Sequence, residues 1–346
     1  MKTLILCCAV FCCSGIGKPA DADSPSRPVT FALVGDIMLG SDYPDSLRKK
    51  LPYSEGRLLL QHVKDILSSA DVAIGNLEGP ITLADSCTKI LEDSIAYAFR
   101  MPLYLAPRLS EAGFDVLTTA NNHANDFGTE GRYETESILD SLGIAHTGRL
   151  GDTAALEVRG TKIAVAGFSP NTGNHSLIDI DRASALIESL DCRFDIVVAT
   201  FHGGAEGEDY MHVPRGTECF LSENRGDVRR FAHRAVDAGA DVVFGHGPHV
   251  PRGIELYHGK IIAYSLGNFC TWFGLNVRGF NGLSPLLRIE VTGEGELRHM
   301  QILSFEQQSY HYPVPDPEKR AEKLMIELSV SDFGTFPHKF LERMSQ

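Results

Sequence analysis

The chain has 346 residues and a formal net charge of −13, with 43% hydrophobic and 22% charged residues. This is the composition of an ordinary globular protein that is long enough to bury a sizeable core. The acidic charge argues against a dedicated nucleic-acid binder, because such proteins normally carry a basic face. We therefore expect no nucleic acid among its partners.

The N-terminal residues have the pattern of an export signal. Lys2 precedes an apolar run at residues 3–13 and a run of small residues at 14–17. The apolar run is too short to span a membrane, which takes about 20 residues. We predict a signal peptide over residues 1–17, a linker over residues 18–28, and an extracytoplasmic location, either periplasmic or at the cell surface.

The cysteines leave two questions open. Cys12 and Cys13 lie inside the predicted signal and allow lipid attachment after cleavage as an alternative form of anchoring. The four cysteines beyond the signal are scattered without metal-finger spacing, and either disulfides or buried thiols fit them. These four are Cys87, Cys192, Cys219 and Cys270.

From residue 29 onward, strand-like and helix-like segments alternate. Apolar residues at helical spacing predict helices over residues 56–70, 129–142, 225–238 and 316–330. Paired apolar runs around short turns predict hairpins over residues 155–168, 252–264 and 286–304. Crossover units mixed with hairpins favour two sheets flanked by helices over a single doubly wound sheet. We assign residues 29–310 to this α/β domain and residues 311–346 to a C-terminal helical extension.

Five strand-like runs end in clusters of polar residues. The runs cover residues 29–34, 71–74, 114–119, 195–200 and 241–244, and the clusters contain Asp36, Asn76, Glu78, Asn121, Asn122, His123, His202, His246 and His249. Ligands bind at the carboxyl ends of the strands in α/β proteins, so these side chains are expected to converge on one site. Mixed oxygen and nitrogen donors favour a divalent metal such as Mn, Fe or Zn.

Neighbouring residues are expected to support this site. Asp126 lies three residues after His123 and is placed to orient its ring. Substrate-binding or supporting roles are predicted for Asn76, Asn121, Glu206, Ser265 and Asn268. Two long polar loops, residues 81–97 and 203–224, are expected to form the walls of a cleft. Taken singly, Asp36 or the Asn-Asn-His run could instead cap a turn or a helix.

In order from residue 30 to residue 269, these motifs resemble the capsule-synthesis protein CapA family. The matching motifs are Gly35-Asp36-Ile37-Met38-Leu39, Asn76-Leu77-Glu78, Asn121-Asn122-His123, Asp126-Phe127-Gly128, His202 with Glu206, Asp237-Ala238-Gly239-Ala240-Asp241, Gly245-His246-Gly247-Pro248-His249-Val250 and Tyr264-Ser265-Leu266-Gly267-Asn268-Phe269. Members are associated with the synthesis or export of poly-γ-glutamate capsule. The resemblance implies a calcineurin-like metallophosphatase fold, a four-layer αββα sandwich with two facing mixed β-sheets.

The resemblance also implies roles for individual residues. It implies that one or two divalent ions are held by Asp36, Glu78, Asn122, His202, His246 and His249. It implies that His123, steered by Asp126, assists the leaving group. Two positions depart from the pattern: Met38 stands where metallophosphatases carry a histidine, and Gly247 stands where many relatives begin His-Pro-His, which leaves His246 as the substitute ligand.

Three hypotheses follow. The first is a metal-dependent hydrolase of the phosphoesterase type, involved in the synthesis or export of poly-γ-glutamate capsule or a related cell-envelope polymer, with an anionic polymer or a phosphoester as substrate. The second is a non-catalytic accessory protein of a capsule synthase or export complex that binds an anionic polymer in a degenerate cleft. The third, a purely structural α/β domain, requires the polar clusters to be coincidental.

Overall fold

The computed structural model describes residues 3–4, 27–44, 51–89 and 97–341. The predicted signal peptide and linker lie outside the described residues, apart from residues 3–4 and 27–28, and so do Cys12 and Cys13. Within the described ranges, no helix is both long enough and apolar enough to cross a membrane. No disulfide joins the four cysteines of these ranges.

The regular elements alternate along the chain as the sequence predicts. The α-helices in the described ranges are α1 (Lys64–Ser69), α2 (Pro107–Ala112), α3 (Gly128–Ser141), α4 (Ile180–Asp191), α5 (Val228–Asp237) and α6 (Arg320–Phe333). The strands are β1 (Thr3–Leu4), β2 (Val29–Met38), β3 (Val72–Leu77), β4 (Val116–Thr118), β5 (Ala145–Thr147), β6 (Ala154–Val158), β7 (Thr161–Ser169), β8 (His175–Ser176), β9 (Ile196–His202), β10 (Glu218–Phe220), β11 (Glu223–Gly226), β12 (Val242–His246), β13 (Ile254–Tyr257), β14 (Lys260–Ala263), β15 (Asn268–Thr271), β16 (Leu283–Val291), β17 (Leu297–Glu306) and β18 (Val314–Pro315).

Three of the four predicted helices form as α3, α5 and α6. The prediction for residues 56–70 was too long, because only Lys64–Ser69 is regular α-helix and residues 57–63 run as consecutive turns. These turns still bury Leu59 and Val63 in the same apolar cluster as Leu67 of α1. The apolar spacing therefore correctly indicated which residues are buried. These residues are buried by consecutive turns and a short helix instead of one continuous helix.

The strands form two mixed sheets. The first has the order β1-β6-β7-β9-β12-β14-β13, with β8 beside β7, and the second has the order β18-β17-β16-β2-β3-β4-β5, with β15 beside β2. The three predicted hairpins are present as the antiparallel pairs β6–β7, β13–β14 and β16–β17. Strands β2 to β5 run parallel in one sheet, and β7, β9, β12 and β14 run parallel in the other.

The two sheets pack face to face across a buried apolar core. Phe31, Leu33 and Ile74 of one sheet share this core with Val165 and Val198 of the other. A second apolar cluster lies between the outer face of one sheet and helices α1 to α3, and a third lies between the outer face of the other sheet and helices α4 and α5. The predicted four-layer αββα sandwich with two facing mixed sheets is thus confirmed.

Helix α6 lies against strands of both sheets. It contacts β13 of the first sheet and β16 and β17 of the second. Its Met325 is fully buried in the core between the sheets, and Phe336 in the segment that follows the helix is also buried there. The segment predicted as a C-terminal helical extension therefore contributes apolar side chains to the main core.

Parallel register brings the polar clusters to one edge of the sandwich. Asp36 pairs with Asn76 across β2 and β3, and His202 pairs with His246 across β9 and β12. The chain before β15 also approaches β2 closely, because the Asp36 amide donates to the Gly267 carbonyl oxygen at 2.9 Å. A Cβ atom on Gly35 would lie 1.8 Å from that oxygen, so only glycine fits beside Asp36.

Candidate metal centre and its cleft

Asp36 is shared by two groups of buried side chains that could each hold a metal ion. One group consists of Asp36, His202 and His246, and the other of Asp36, Glu78 and His249. Within each group the donor atoms lie within 4.8 Å of one another. All five side chains are buried at the carboxyl ends of their strands or in the loops that follow.

The carboxylate of Asp36 is held by hydrogen bonds on both oxygens. Oδ2 lies 2.9 Å from His249 Nδ1, and Oδ1 accepts from Asn76 Nδ2 at 2.8 Å. His246 Nδ1 lies 3.7 Å from Oδ1. Burial alone would raise the pKa of Asp36, but its partners, with His249 first among them, outweigh burial and hold that pKa below its usual value. Asp36 is therefore a carboxylate.

His249 reaches into the site from a strained backbone. Its φ of 58° is in the left-handed region, which is rare for residues other than glycine and is typical of functional positions. Its Nε2 lies 3.6 Å from Glu78 Oε1 and 3.8 Å from Glu206 Oε2. Burial alone would lower the pKa of His249, but Glu78, Asp36 and Glu206 raise it to about 10. The negative charges of these carboxylates therefore favour a positive charge at this point. Either a proton on His249 or a divalent cation can supply that charge.

Glu78 is the strongest indication that the site suits a cation. Both of its carboxylate oxygens are buried and lack a hydrogen-bond partner among the described residues. Burial and the neighbouring Asp36 raise the pKa of Glu78 well above its usual value. The amide oxygen of Asn122, which lines the adjoining cleft, is also buried without such a partner. Buried oxygens in this state are unfavourable unless a cation or donor satisfies them, so the donor set fits a divalent metal.

His202 and His246 are suited to bind metal because both are neutral. Their Nδ1 atoms lie 3.2 Å apart, and His246 Nε2 lies 3.1 Å from Thr200 Oγ1. Burial lowers the pKa of His246 to about 4, and burial together with Arg225 lowers the pKa of His202 well below its usual value. Neutral imidazole is the form that ligates metal ions.

His123 and Asp126 form a hydrogen-bonded pair beside this centre. His123 Nδ1 lies 2.8 Å from Asp126 Oδ2, and that oxygen also accepts from the Phe99 amide at 2.8 Å. Lys89 Nζ forms an ion pair with Asp126 Oδ1 at 2.7 Å. Burial lowers the pKa of His123, so the ring is neutral at rest. The geometry agrees with the predicted orienting contact, and Nε2 is the ring nitrogen available for proton transfer.

An open cleft of about 620 Å³ leads to these groups. Asn122, His123, Glu206 and His249 line it. The two long loops predicted as cleft walls also contribute lining residues, which are Lys89 and Tyr97 from the first loop and Glu206, Gly207, Phe220, Leu221 and Glu223 from the second. Because His249 lines this space, the group of Asp36, Glu78 and His249 adjoins a cleft large enough for a substrate.

The remaining predicted residues act from behind the cleft. Asn121 Nδ2 donates to Asn76 Oδ1 at 3.0 Å, and Asn121 Oδ1 accepts from the His123 amide at 3.0 Å. Asn268 Nδ2 donates to the His249 carbonyl oxygen at 3.2 Å. Ser265 Oγ donates to the Val250 carbonyl oxygen at 2.7 Å. These hydrogen bonds tie the side chains to the segments that carry the predicted ligands, as a supporting role requires.

Two cationic residues of the site did not stand out in the sequence. Arg225, which is almost fully buried, lies 3.0 Å from Glu206 Oε1 through Nη1 and 3.4 Å from His202 Nε2 through Nη2. Lys89 contacts the pair of His123 and Asp126. Arg225 begins a predicted helix and Lys89 lies in a predicted loop, so neither belongs to a strand-end cluster. The available signal was that Lys89 lies within the first long loop and Arg225 directly follows the second.

Comparison with known proteins places this site in a family. The family model described as bacterial capsule synthesis protein PGA_cap matches residues 30–271. The PGA biosynthesis protein CapA of Bacillus subtilis (strain 168) is 30% identical over 257 residues, which cover 69% of this chain and 62% of that protein. The capsule biosynthesis protein CapA of Bacillus anthracis is 29% identical over 265 residues, which cover 70% of this chain and 60% of that protein.

The chain thus spans less than two thirds of the length of either relative. Among solved structures, the 5′-nucleotidase precursor from Thermus thermophilus superimposes with a TM-score of 0.47 at 13% identity, over 89% of this chain and 59% of that chain. The family match, in contrast, includes every side chain of the two metal-binding groups, from Asp36 to His249. The chain belongs to the bacterial capsule synthesis protein family PGA_cap.

Proposed function

We propose that this protein is a metal-dependent hydrolase of the phosphoesterase type. It would act on an anionic polymer or a phosphoester in the synthesis or export of poly-γ-glutamate capsule or a related cell-envelope polymer. The observation that carries the proposal is the sharing of Asp36 by two buried donor groups beside an open cleft. The names of the relatives, which refer to PGA and capsule biosynthesis, support the proposed role in the synthesis or export of such a polymer.

The location and partners are also part of the proposal. The export-signal pattern of residues 1–17 supports a protein that works outside the cytoplasm, in the periplasm or at the cell surface. Lipid attachment at Cys12 or Cys13 is the alternative to a free exported form. A capsule synthase or export complex is the partner that this location and the relatives' names support.

The side chains have distinct tasks in the proposed reaction. Asp36, Glu78, His202, His246 and His249 would hold one or two divalent ions, together with Asn122. Such an ion, when bound, polarises a phosphoryl oxygen and makes a bound water more acidic. Asp126 fixes the ring of His123 through Nδ1 and would stabilise its protonated form. Nε2 would take up a proton from water before the reaction and give that proton to the leaving oxygen. Lys89 and Arg225 place positive charge beside the anionic substrate.

Met38 supports a second candidate function. It is fully buried at the position where the family resemblance expects a histidine ligand, and a thioether is a poor ligand for a hard divalent ion. A centre that lacks this donor could bind an anionic polymer without hydrolysing it. The protein would then be a non-catalytic accessory subunit of a capsule synthase complex.

Metal content is the first test of the proposed function. Purified protein is expected to carry one or two equivalents of Mn, Fe or Zn by elemental mass spectrometry, and His249→Ala is expected to lose most of this metal, because His249 contacts Asp36 and lies near Glu78. His258→Ala is the matched control, since His258 is exposed and lies outside both groups. If wild-type protein contains no metal, even after reconstitution with metal ions, the proposed metal-dependent hydrolase activity is contradicted.

Hydrolysis separates the two candidate functions. His123→Ala is expected to keep its metal and to lose roughly 10²-fold or more in the rate constant for phosphoester hydrolysis, the usual contribution of a general acid. In a deletion strain, a gene carrying both His123→Ala and His249→Ala should fail to restore the capsule. Full restoration by this gene would favour the accessory function instead.

A further inference from the structure

The hairpin of β10 and β11 presents an exposed apolar tip to the cleft. Its two-residue turn, Leu221-Ser222, joins Phe220 to Glu223, and the two turn residues have φ angles of 46° and 66°. Such turns favour Asn and Gly, because other residues are strained in the left-handed region. Leu221 is also 61% exposed. Neither turn chemistry nor burial in the fold accounts for a leucine here, whereas contact with an apolar ligand does.

Apolar side chains line other parts of the same cleft. Tyr97 belongs to the first long loop, lines the cleft and is 54% exposed. Phe99, two residues further along the chain, packs against the His123 ring at an interplanar angle of 31°, with the ring centroids 4.3 Å apart. Leu275 adds a half-buried aliphatic group. The cleft therefore has apolar surface contributed by separate segments of the chain, and part of that surface adjoins His123.

The hairpin is held firmly in place. Phe220 packs edge-to-face against Tyr210 at 6.0 Å between ring centroids. At the base of the hairpin, both carboxylate oxygens of Glu218 accept from the buried Arg252 guanidinium, at 2.9 and 2.7 Å. Glu218 Oε2 also accepts from the Ala205 amide at 3.0 Å. The apolar tip is thus a fixed wall of the cleft.

These observations divide the cleft into a charged part and an apolar part. Phosphate would bind at the metal-binding groups, and the leaving oxygen would lie at His123. Any group attached to that oxygen then meets Phe99 and its apolar neighbours. Resting on the proposed function, we infer that the substrate is an amphiphilic phosphoester whose leaving group is apolar. Tyr97, Phe99, Phe220 and Leu221 determine this specificity.

The test compares the binding of two phosphonates that the protein cannot hydrolyse, methylphosphonate and octylphosphonate, to the full chain with Mn²⁺ by calorimetry. Octylphosphonate is expected to bind roughly tenfold tighter or more, because burial of several methylene groups in the apolar part of the cleft is favourable. The double variant Tyr97→Ser, Leu221→Ser should lose most of this preference. Leu83→Ser with Tyr104→Ser removes two exposed apolar side chains outside the cleft and should retain it.

Equal affinities for the two phosphonates in wild-type protein, or no binding of either, would overturn the inference. The same holds if the control variant loses the preference as much as the cleft variant does. The readout does not depend on turnover. If the protein prefers octylphosphonate but hydrolyses no phosphoester, the inference of an amphiphilic ligand would therefore stand, and the proposed hydrolase activity would be refuted.

Discussion

Asp36→Asn is expected to empty both metal-binding groups and to lower the rate constant for phosphoester hydrolysis at least about 10³-fold. The substitution keeps the size of the side chain but removes the charge that both groups share. It also removes the carboxylate that pairs with His249 at 2.9 Å. The measurements are elemental mass spectrometry and the steady-state rate with p-nitrophenyl phosphate.

Single-group variants provide the control for this result. His246→Gln removes a donor from one group, and Glu78→Gln removes the charge of a donor in the other. Each is expected to retain part of the metal, whereas Asp36→Asn retains little. Thermal unfolding should show that all three variants are folded. If Asp36→Asn binds as much metal as wild type, Asp36 is not shared between two ions and the assignment of the centre is wrong.

Arg252→Met is expected to lower the free energy of unfolding by about 3–5 kcal/mol, because it leaves a buried carboxylate without its cation. Arg252 is fully buried, and Glu218 is nearly so. The guanidinium also donates to the Ala205 carbonyl oxygen at 3.2 Å, so it joins the loop after His202 to the base of the hairpin. Urea unfolding monitored by circular dichroism measures the change.

The double variant Arg252→Met, Glu218→Gln tests the physical cause. With the unpaired charge removed, the double variant should be more stable than Arg252→Met alone, since much of the loss comes from leaving one charge buried and uncompensated. Gln also retains an acceptor for the Ala205 amide. If Arg252→Met lowers the free energy of unfolding by less than about 1 kcal/mol, the ion pair of Arg252 and Glu218 contributes no more than an exposed ion pair does. The hairpin would then be held by other contacts.

The alternation of strands and helices was predictable because it depends on local patterns. Apolar runs around short turns identified the three hairpins, and helical spacing identified α3, α5 and α6. The strand-end rule also predicted that Asp36 and His249, which are 213 positions apart in the chain, would meet. This contact could be predicted without knowing any distance, because parallel strands bring their carboxyl ends to one edge of each sheet.

Other features of the site depend on contacts that no local pattern encodes. The sequence did not indicate that Arg225 would be buried against His202 and Glu206, since an arginine at the start of a helix is usually solvated. The pairing of Glu218 with Arg252 and the apolar hairpin tip at Leu221 likewise depend on how two loops pack. The helix predicted over residues 56–70 was too long because tertiary packing buried its apolar residues through turns.

The sequence by itself determined the architecture and the chemical identity of the candidate metal-binding side chains. Periodicity and residue type are local properties of the chain and do not depend on how it folds. Only the tertiary structure decided that Asp36 is shared by two donor groups, that the Glu78 carboxylate lacks a hydrogen-bond partner among the described residues, and that one part of the cleft is apolar. These are properties of distance and burial. They arise when two sheets pack face to face and bring charges from distant segments into a region of low dielectric constant.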